Sequence, residues 1–322
     1  MALDGRADQP TAIGFLLVPK FSMMAFSAAL EPLRAANRMS GRELYAWRLF
    51  TRDGEAVTSS GGVSIMPHAA IAEATHFPTM IVCAGMDVHL YRERDVLSWL
   101  RRLDRQGARI GSLCTGAHVL ARAGLLDGYR CTIHWENIPG FVEEFPDIEV
   151  TSELFEIDRK RMTCSGGIAP LDMMLHMIAT EHGHELAAMV SDQFIHDRIR
   201  GPNDHQRMTL QSRLGVRDAK LISVIAQMEA NLEEPLSREI LAASVGLSTR
   251  QLERLFRKHL KSTPKHYYLE LRLRRSRQLL LQTSMSVLGV ALACGFVSAS
   301  HFSKCYREFF GRTPREERRA AA

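Results

Sequence analysis

A stretch of about 25 residues near the C-terminus occurs twice, and no other feature of this 322-residue chain restricts its fold as much. At an offset of 50 residues, Ile240 aligns with Val290, Ala243 with Ala293, Leu247 with Val297 and Ser248 with Ser298. The match continues with Leu252 and Phe302, Arg254 and Lys304, Phe256 and Tyr306, Arg257 and Arg307, Thr263 and Thr313, and Pro264 and Pro314. A segment used twice is one supersecondary unit, and the unit is readable. A short apolar helix over Arg238–Val245 carries the small residues Ala242 and Ala243, Gly246 supplies a turn, and Ser248 is placed to cap a second helix over Thr249–Leu260. That helix puts Leu252, Leu255, Phe256 and Leu260 on one face. Its other face presents Arg250, Gln251, Arg254, Arg257 and Lys258. Helix, glycine turn, helix is a helix-turn-helix, whose second helix enters the DNA major groove.

The second copy reads as a helix over Val287–Cys294, a turn at Gly295, and a Ser298-capped helix to Phe310 that exposes Ala299, Ser300, Lys304 and Arg307. Between the copies, Pro264 opens a long basic helix to Leu281 carrying Arg272, Arg274, Arg275 and Arg277. A rigid connector would set two recognition helices into successive major grooves, roughly 34 Å apart. The charge agrees with a polyanion partner. Ser248–Arg319 holds 16 Lys and Arg against 5 Asp and Glu, a net +11, while the whole chain is only +5. The rest is therefore acidic, and only this part is built for double-stranded DNA.

The segments "LAASVGLSTRQLERLFRKHLKSTPKHY" and "VALACGFVSASHFSKCYREFFGRTPRE" resemble the AraC/XylS family of transcription regulators. The resemblance implies base reading by Arg250, Glu253 and Arg254 in the first motif, and by Ala299, Ser300 and Lys304 in the second. Arg257, Lys258 and Arg307 are expected on phosphates.

Residues 12–200 alternate apolar strands (Ala12–Val18, Tyr45–Thr51, Thr79–Ala84, Arg109–Leu113) with helices (Met23–Arg38, Tyr91–Gln106, His118–Ala123). Repeated β-α units predict a doubly wound, flavodoxin-like parallel sheet, with ligands at the C-terminal strand ends. The chain thus reads as α/β followed by an all-α domain. The expected divisions are a tail at 1–11, a sensing and dimerisation domain at 12–200, a linker at 201–218 and a DNA-binding domain at 219–319.

Cys114-Thr115-Gly116 falls between a strand and a helix, an elbow that presents the thiol at the top of the sheet, where a helix N-terminus would lower its pKa. "IGFLLVPKFSMMAFSAALEPLRAANR", "IVCAG", "IGSLCTGAHVLARAGLLDG" and "CTIHW" resemble the class I glutamine amidotransferase-like, or ThiJ/PfpI-like, superfamily. Enzymes of that group pair the cysteine with a histidine and an acid. Here Thr115 follows Cys114, and Ala25 stands where the acid of redox-type members aligns. The resemblance therefore implies a retained pocket rather than a Cys114-dependent amidase or deglycase. Its expected lining is Phe21, Glu31, Gly85, Met86, Asp87, Cys114, Thr115, His134 and Trp135. An aromatic with a carboxylate suits a quaternary ammonium, and the first helix resembles regulators of betaine, carnitine or arginine catabolism. The implied protein is a homodimeric activator that answers a small-molecule inducer and recruits RNA polymerase.

The six cysteines show no C-x-x-C spacing, no apolar run reaches a membrane span of roughly 18 residues, and the polar N-terminus shows no signal peptide, so a reducing cytoplasm is expected. His184-Glu185-Leu186-Ala187-Ala188-Met189 resembles the start of a zinc-protease helix but has no histidine at the last ligand position, and neither metal nor cofactor is expected. Thr163–Gly167 reads as a tightly packed turn, and the pairs Met23/Met24 and Met173/Met174 as core.

Overall fold

The computed structural model describes residues 9–321; residues 1–8 of the expected tail lie outside them. The chain divides into two compact units between Gln206 and Arg207.

The first unit runs β1 (Thr11–Leu17), α1 (Met23–Ser40), β2 (Tyr45–Thr51), β3 (Val57–Thr58), β4 (Ser64–Ile65), β5 (Ala69–Ala70), β6 (Thr79–Cys83), α2 (Arg94–Arg105) and β7 (Arg109–Leu113). It continues with α3 (Ala117–Arg122), β8 (Arg130–Thr132), α4 (Ile138–Glu144), β9 (Glu149–Thr151), β10 (Phe155–Asp158), β11 (Arg161–Cys164), α5 (Ala169–His182) and α6 (His184–Gln193). The main sheet has the order β10-β11-β7-β6-β1-β2-β5, parallel except for β10 against β11. Its β2-β1-β6-β7-β11 centre is the flavodoxin-like order. β1 and β6 are continuous apolar runs because both faces are covered. Ile13, Phe15 and Leu17 pack with α1, α5 and α6, whereas Leu16 and Val18 pack with α2 and α3. Met173 and Met174 are core as expected, but Met24 is exposed, because α1 turns it outward.

The second unit contains α7 (Leu210–Leu214), α8 (Ala219–Ala230), α9 (Arg238–Ser244), α10 (Thr249–Leu260), α11 (Pro264–Gln282), α12 (Val287–Ala293), α13 (Ala299–Phe310) and α14 (Pro314–Ala321). It has two apolar cores. The first gathers Leu221, Ile225, Leu241, Leu252 and Phe256, and the second Val290, Phe296, Phe302 and Tyr306. α11 belongs to both, giving Tyr268 to the first and Leu273, Leu279 and Leu280 to the second. At 1.5 Å per residue its 19 residues make a shaft of about 28 Å.

Two expectations change here. The stretch 201–218 is not a uniform linker: Gly201–Gln206 belong to the first unit, and Leu210 and Leu214 of α7 pack on the core of the second. The repeat also shifts register. From Ser248 and Ser298 onward the offset is 50, since α10 and α13 superpose in number. Before that it is 49. Ser237 and Ser286 cap α9 and α12, and the αL turn residues are Gly246 (φ 63°) and Gly295 (φ 71°). The same hydrogen bond closes each turn, Leu247 N to Ala242 O and Phe296 N to Ala291 O, both 2.9 Å. Val297 is thus a one-residue insertion, 92% exposed, and Leu247 corresponds to Phe296.

Candidate functional site

Between β7 and α3 the chain turns through Cys114, whose φ of 59° lies in the left-handed region. Such a conformation costs a residue with a Cβ about 1–2 kcal/mol, so its surroundings must hold it. Cys114 N donates to Cys164 O at 2.9 Å, and Cys114 O accepts from His134 N at 3.1 Å. Gly166 lies so close that a Cβ there would sit 2.7 Å from Cys114 Cβ. The thiol is 9% exposed, and burial pushes its pKa up to about 12, with Glu136 adding to the effect and the Thr115 N–H opposing it. The expectation of a lowered pKa fails because α3 begins three residues later and desolvation outweighs its dipole.

A connected rim grows outward from this elbow. Thr115 Oγ1 donates to Gly85 O at 2.6 Å, Phe21 and Gly85 form an antiparallel bridge, and Met86 N donates to Lys20 O at 3.1 Å. Asp87 pairs with Lys20 at 2.5 Å. Phe21 is fully buried, edge-on to Phe26, so it is floor rather than lining. Met86 is exposed. His134 stands beside Trp135, with ring centroids 5.8 Å apart and Nδ1 3.8 Å from Glu136 Oε2. Burial pushes its pKa down, so it is neutral at pH 7. The strand leading to it, β8, pairs with β9 outside the main sheet. Glu31 is not brought into this rim by any bond to it: it pairs with Arg34 on α1 at 2.6 Å, both half-exposed. Ala25, at the expected acid position, is core.

Sequence reasoning missed several residues here. Cys83 and Cys164 end the strands on either side of β7, in register with Leu113. Only strand order makes them neighbours of Cys114. Arg122 donates to His89 O at 2.8 Å and Tyr91 O at 2.7 Å, fixing the loop that carries Met86 and Asp87. Gln206 Nε2 donates to Thr132 Oγ1, Ile133 O and Glu153 O at 2.9–3.0 Å, next to His134. Upstream, buried Asp172 accepts from Arg200 N at 2.7 Å and lies 2.9 Å from His196 Nε2.

Among the described residues no group of three or more His, Cys, Asp or Glu is arranged to hold a metal ion. His182 packs edge-on to Tyr45 at the end of α5, and His184 opens α6. No helix among them is long and apolar enough to cross a membrane.

On the second unit, Arg250, Arg254, Arg257 and Lys258 are exposed along α10. Arg250, Arg254 and Arg257 line an open groove of about 570 Å³ with Ser248, Gln251 and Glu253. Gln251 is partly engaged: its Oε1 accepts from Ser248 N at 2.8 Å while Ser248 Oγ accepts from Gln251 N, a capping box. Glu253 Oε1 faces Arg238 at 3.7 Å. On α13, Ser300, Lys304 and Arg307 are exposed and Ala299 is half-buried. The basic run on α11 is engaged by other parts of the unit at Arg272 and Arg277, while Arg274 is exposed. Arg272 donates to Cys294 O and Gly295 O at 2.7 and 2.6 Å and stacks on Phe296, Arg274 pairs with Glu270, and Arg277 with Glu317.

Residues 13–180 match the DJ-1/PfpI family, and residues 241–320 match a helix-turn-helix domain. Over 309 residues the chain is 52% identical to the HTH-type transcriptional regulator GbdR of Pseudomonas aeruginosa, covering 96% of this chain and 84% of that protein. The chain belongs to the AraC-type regulators with a DJ-1/PfpI domain. The HTH-type transcriptional regulator CdhR of Pseudomonas aeruginosa is 48% identical over 94% of this chain and 90% of its own. The crystal structure of an AraC family transcriptional regulator from Pseudomonas putida matches 57% of this chain and 100% of its own, with TM-score 0.54 and 27% identity. Its helix-turn-helix domain makes it a DNA-binding transcriptional regulator.

Proposed function

We propose that this regulator is a sequence-specific activator of transcription, controlled by a small metabolite bound at the rim around Cys114. The observation that carries the reading is the elbow itself. Its strained geometry is kept by dedicated backbone bonds, while the thiol is protonated and the acid position is alanine. An elbow that keeps its strained geometry without an ionised nucleophile fits binding rather than reaction. Trp135 and Glu136 place an aromatic ring and a carboxylate beside His134, a pair that suits the cationic end of a betaine, carnitine or amino acid. DNA is read by Arg250 and Arg254 on α10, with Gln251 and Glu253 beside them, and by Ala299, Ser300 and Lys304 on α13. Arg257, Lys258 and Arg307 sit on phosphates. The active form is a homodimer that engages RNA polymerase, and the ligand acts by shifting its population.

The route from pocket to boundary is short. His134 is bonded to Cys114, and the two residues before it hold Gln206, where the first unit ends. A ligand that moves His134 or Trp135 therefore acts on the segment leading to the DNA-binding unit. The test is a thermal-shift screen of the full chain against betaines, carnitine, choline and amino acids. A true ligand at a hundred times its Kd stabilises the unit it binds by about 2.7 kcal/mol. A flat response from the whole panel overturns the assignment of a cationic metabolite.

A further inference from the structure

The two helix-turn-helix copies carry equivalent grooves, each walled by the first helix of the motif, its recognition helix and the start of the helix that follows. In the first copy the groove measures about 620 Å³ and includes Arg238, Glu253, Thr263, Pro264, Lys265, Tyr268 and Leu269. In the second it measures about 880 Å³ and includes Val287, Ser303, Thr313, Pro314, Arg315, Arg318 and Arg319. With the register corrected, these residues correspond one for one. Three differences add positive charge or remove negative charge, while one, Arg238 to Val287, removes a positive charge. Glu253 becomes Ser303, Tyr268 becomes Arg318 and Leu269 becomes Arg319, while Lys265 stays basic as Arg315. In the first groove Glu253 faces Arg238 at 3.7 Å and the guanidinium of Arg272 is turned to the Cys294 and Gly295 carbonyls, which leaves Lys265 as the remaining cation of that lining. The second has three arginines and no acidic side chain in its lining. Its nearest carboxylates are engaged elsewhere, with Glu316 capping α14 through Thr313 N (2.7 Å) and Glu317 turned to Arg277 and Arg312.

The recognition helices differ the opposite way. Arg250 and Glu253 of α10, side chains able to discriminate bases, become Ser300 and Ser303 of α13. We infer that the two motifs share the work unequally: α10 carries most of the base discrimination and α13 adds the lesser part, whereas the Arg315–Arg319 groove of the second motif anchors the chain to DNA phosphates. Two observations converge on a phosphodiester. The groove runs beside Ala299 and Ser300 at the N-terminus of α13, the end that faces the major groove, whose edges are phosphates. In addition, Arg318 lines the groove and its Nη2 is buried with no hydrogen-bond partner in the protein, a donor that an anionic oxygen would satisfy once the side chain turned toward the groove.

The inference rests on DNA binding by the second unit, and the experiment keeps the two separable. The full chain is titrated across a salt series with random-sequence duplex and with duplex recovered from a randomised pool by the unaltered protein. The Arg315→Gln, Arg319→Gln double variant alters exposed side chains only; Arg318, which also donates to Leu280 O, is left in place. Its affinity falls by the same factor on both duplexes, and its salt slope flattens by about two units. Arg250→Ala and Arg254→Ala instead lose preference for the selected duplex at particular base pairs. An unchanged slope in the double variant removes the groove from the interface, and an altered base preference makes it a reader; either result overturns the division of work. Failure of the unaltered protein to bind either duplex overturns the DNA-binding reading beneath it.

Discussion

At Cys114, burial decides the chemistry. A thiol whose pKa is pushed up to about 12 is thiolate in only about 1 molecule in 10⁵ at pH 7. Cys83 and Cys164, on the flanking strands, are raised as well, chiefly by burial. Iodoacetamide is therefore expected to label Cys114 far more slowly than free cysteine at neutral pH, with the rate still climbing above pH 9. The sign follows from the direction of the shift, since the thiolate gains population only as pH approaches the raised value. Labelling that is faster than free cysteine and level above pH 7 would reveal an activated nucleophile and restore the enzymatic reading. Residue chemistry also explains the local pairing of Glu31 with Arg34. A carboxylate one turn from an arginine on the same helix face pairs locally at low cost, and sequence alone does not show which way that face turns.

Among the elements, two connectors matter more than their sequences suggest. α11 looks like a basic DNA-facing helix, yet its arginines hold the turn of the second motif and the last helix, and its apolar residues complete both cores. The segment 201–206 looks like the start of a polar linker, yet Gln206 fastens it to the first unit, as Asp172 fastens Arg200 just before it. Gln206→Leu removes three part-buried hydrogen bonds and takes the Gln206 donor from Ile133 O, while Glu153 O keeps its bond from Thr132 Oγ1, a local loss of about 1–2 kcal/mol. Amide hydrogen exchange checks it. Protection is expected to fall at Leu154 and Gln206, which bond across this segment, and to persist in β1 and β6. Equal loss throughout the sheet would mean that Gln206 supports the whole unit rather than the strap.

On the scale of the molecule, the two recognition helices hang on one shaft of about 28 Å, close to one turn of B-DNA. A hydroxyl-radical footprint of the selected duplex is expected to show two protected windows about 10 base pairs apart for each bound chain. A single window per chain would mean that α13 does not reach the duplex beside α10, and the anchoring role would fall with it. The first unit contributes a sheet closed on both faces by helices, which leaves its C-terminal strand ends as the place where loops from β1, β6, β7 and β11 meet.

Much of this was determined by the sequence alone. The repeat, the αL glycines, the serine caps and the 3.6-residue apolar spacing are local signals, so both motifs and α10 at Thr249–Leu260 could be placed from residue order. The strand-Cys-x-Gly-helix turn was legible for the same reason: its strain is written within a few residues. The tertiary structure decided whatever depends on residues far apart in the chain. Strand order set Cys83 and Cys164 beside Cys114, and packing buried the thiol and Phe21. Contacts across the second unit engaged Arg272 on the turn of the second motif and Arg277 on the last helix. The one-residue insertion at Val297 became visible only through the hydrogen bonds that close the two turns, because residue similarity tolerates a slip that backbone geometry does not.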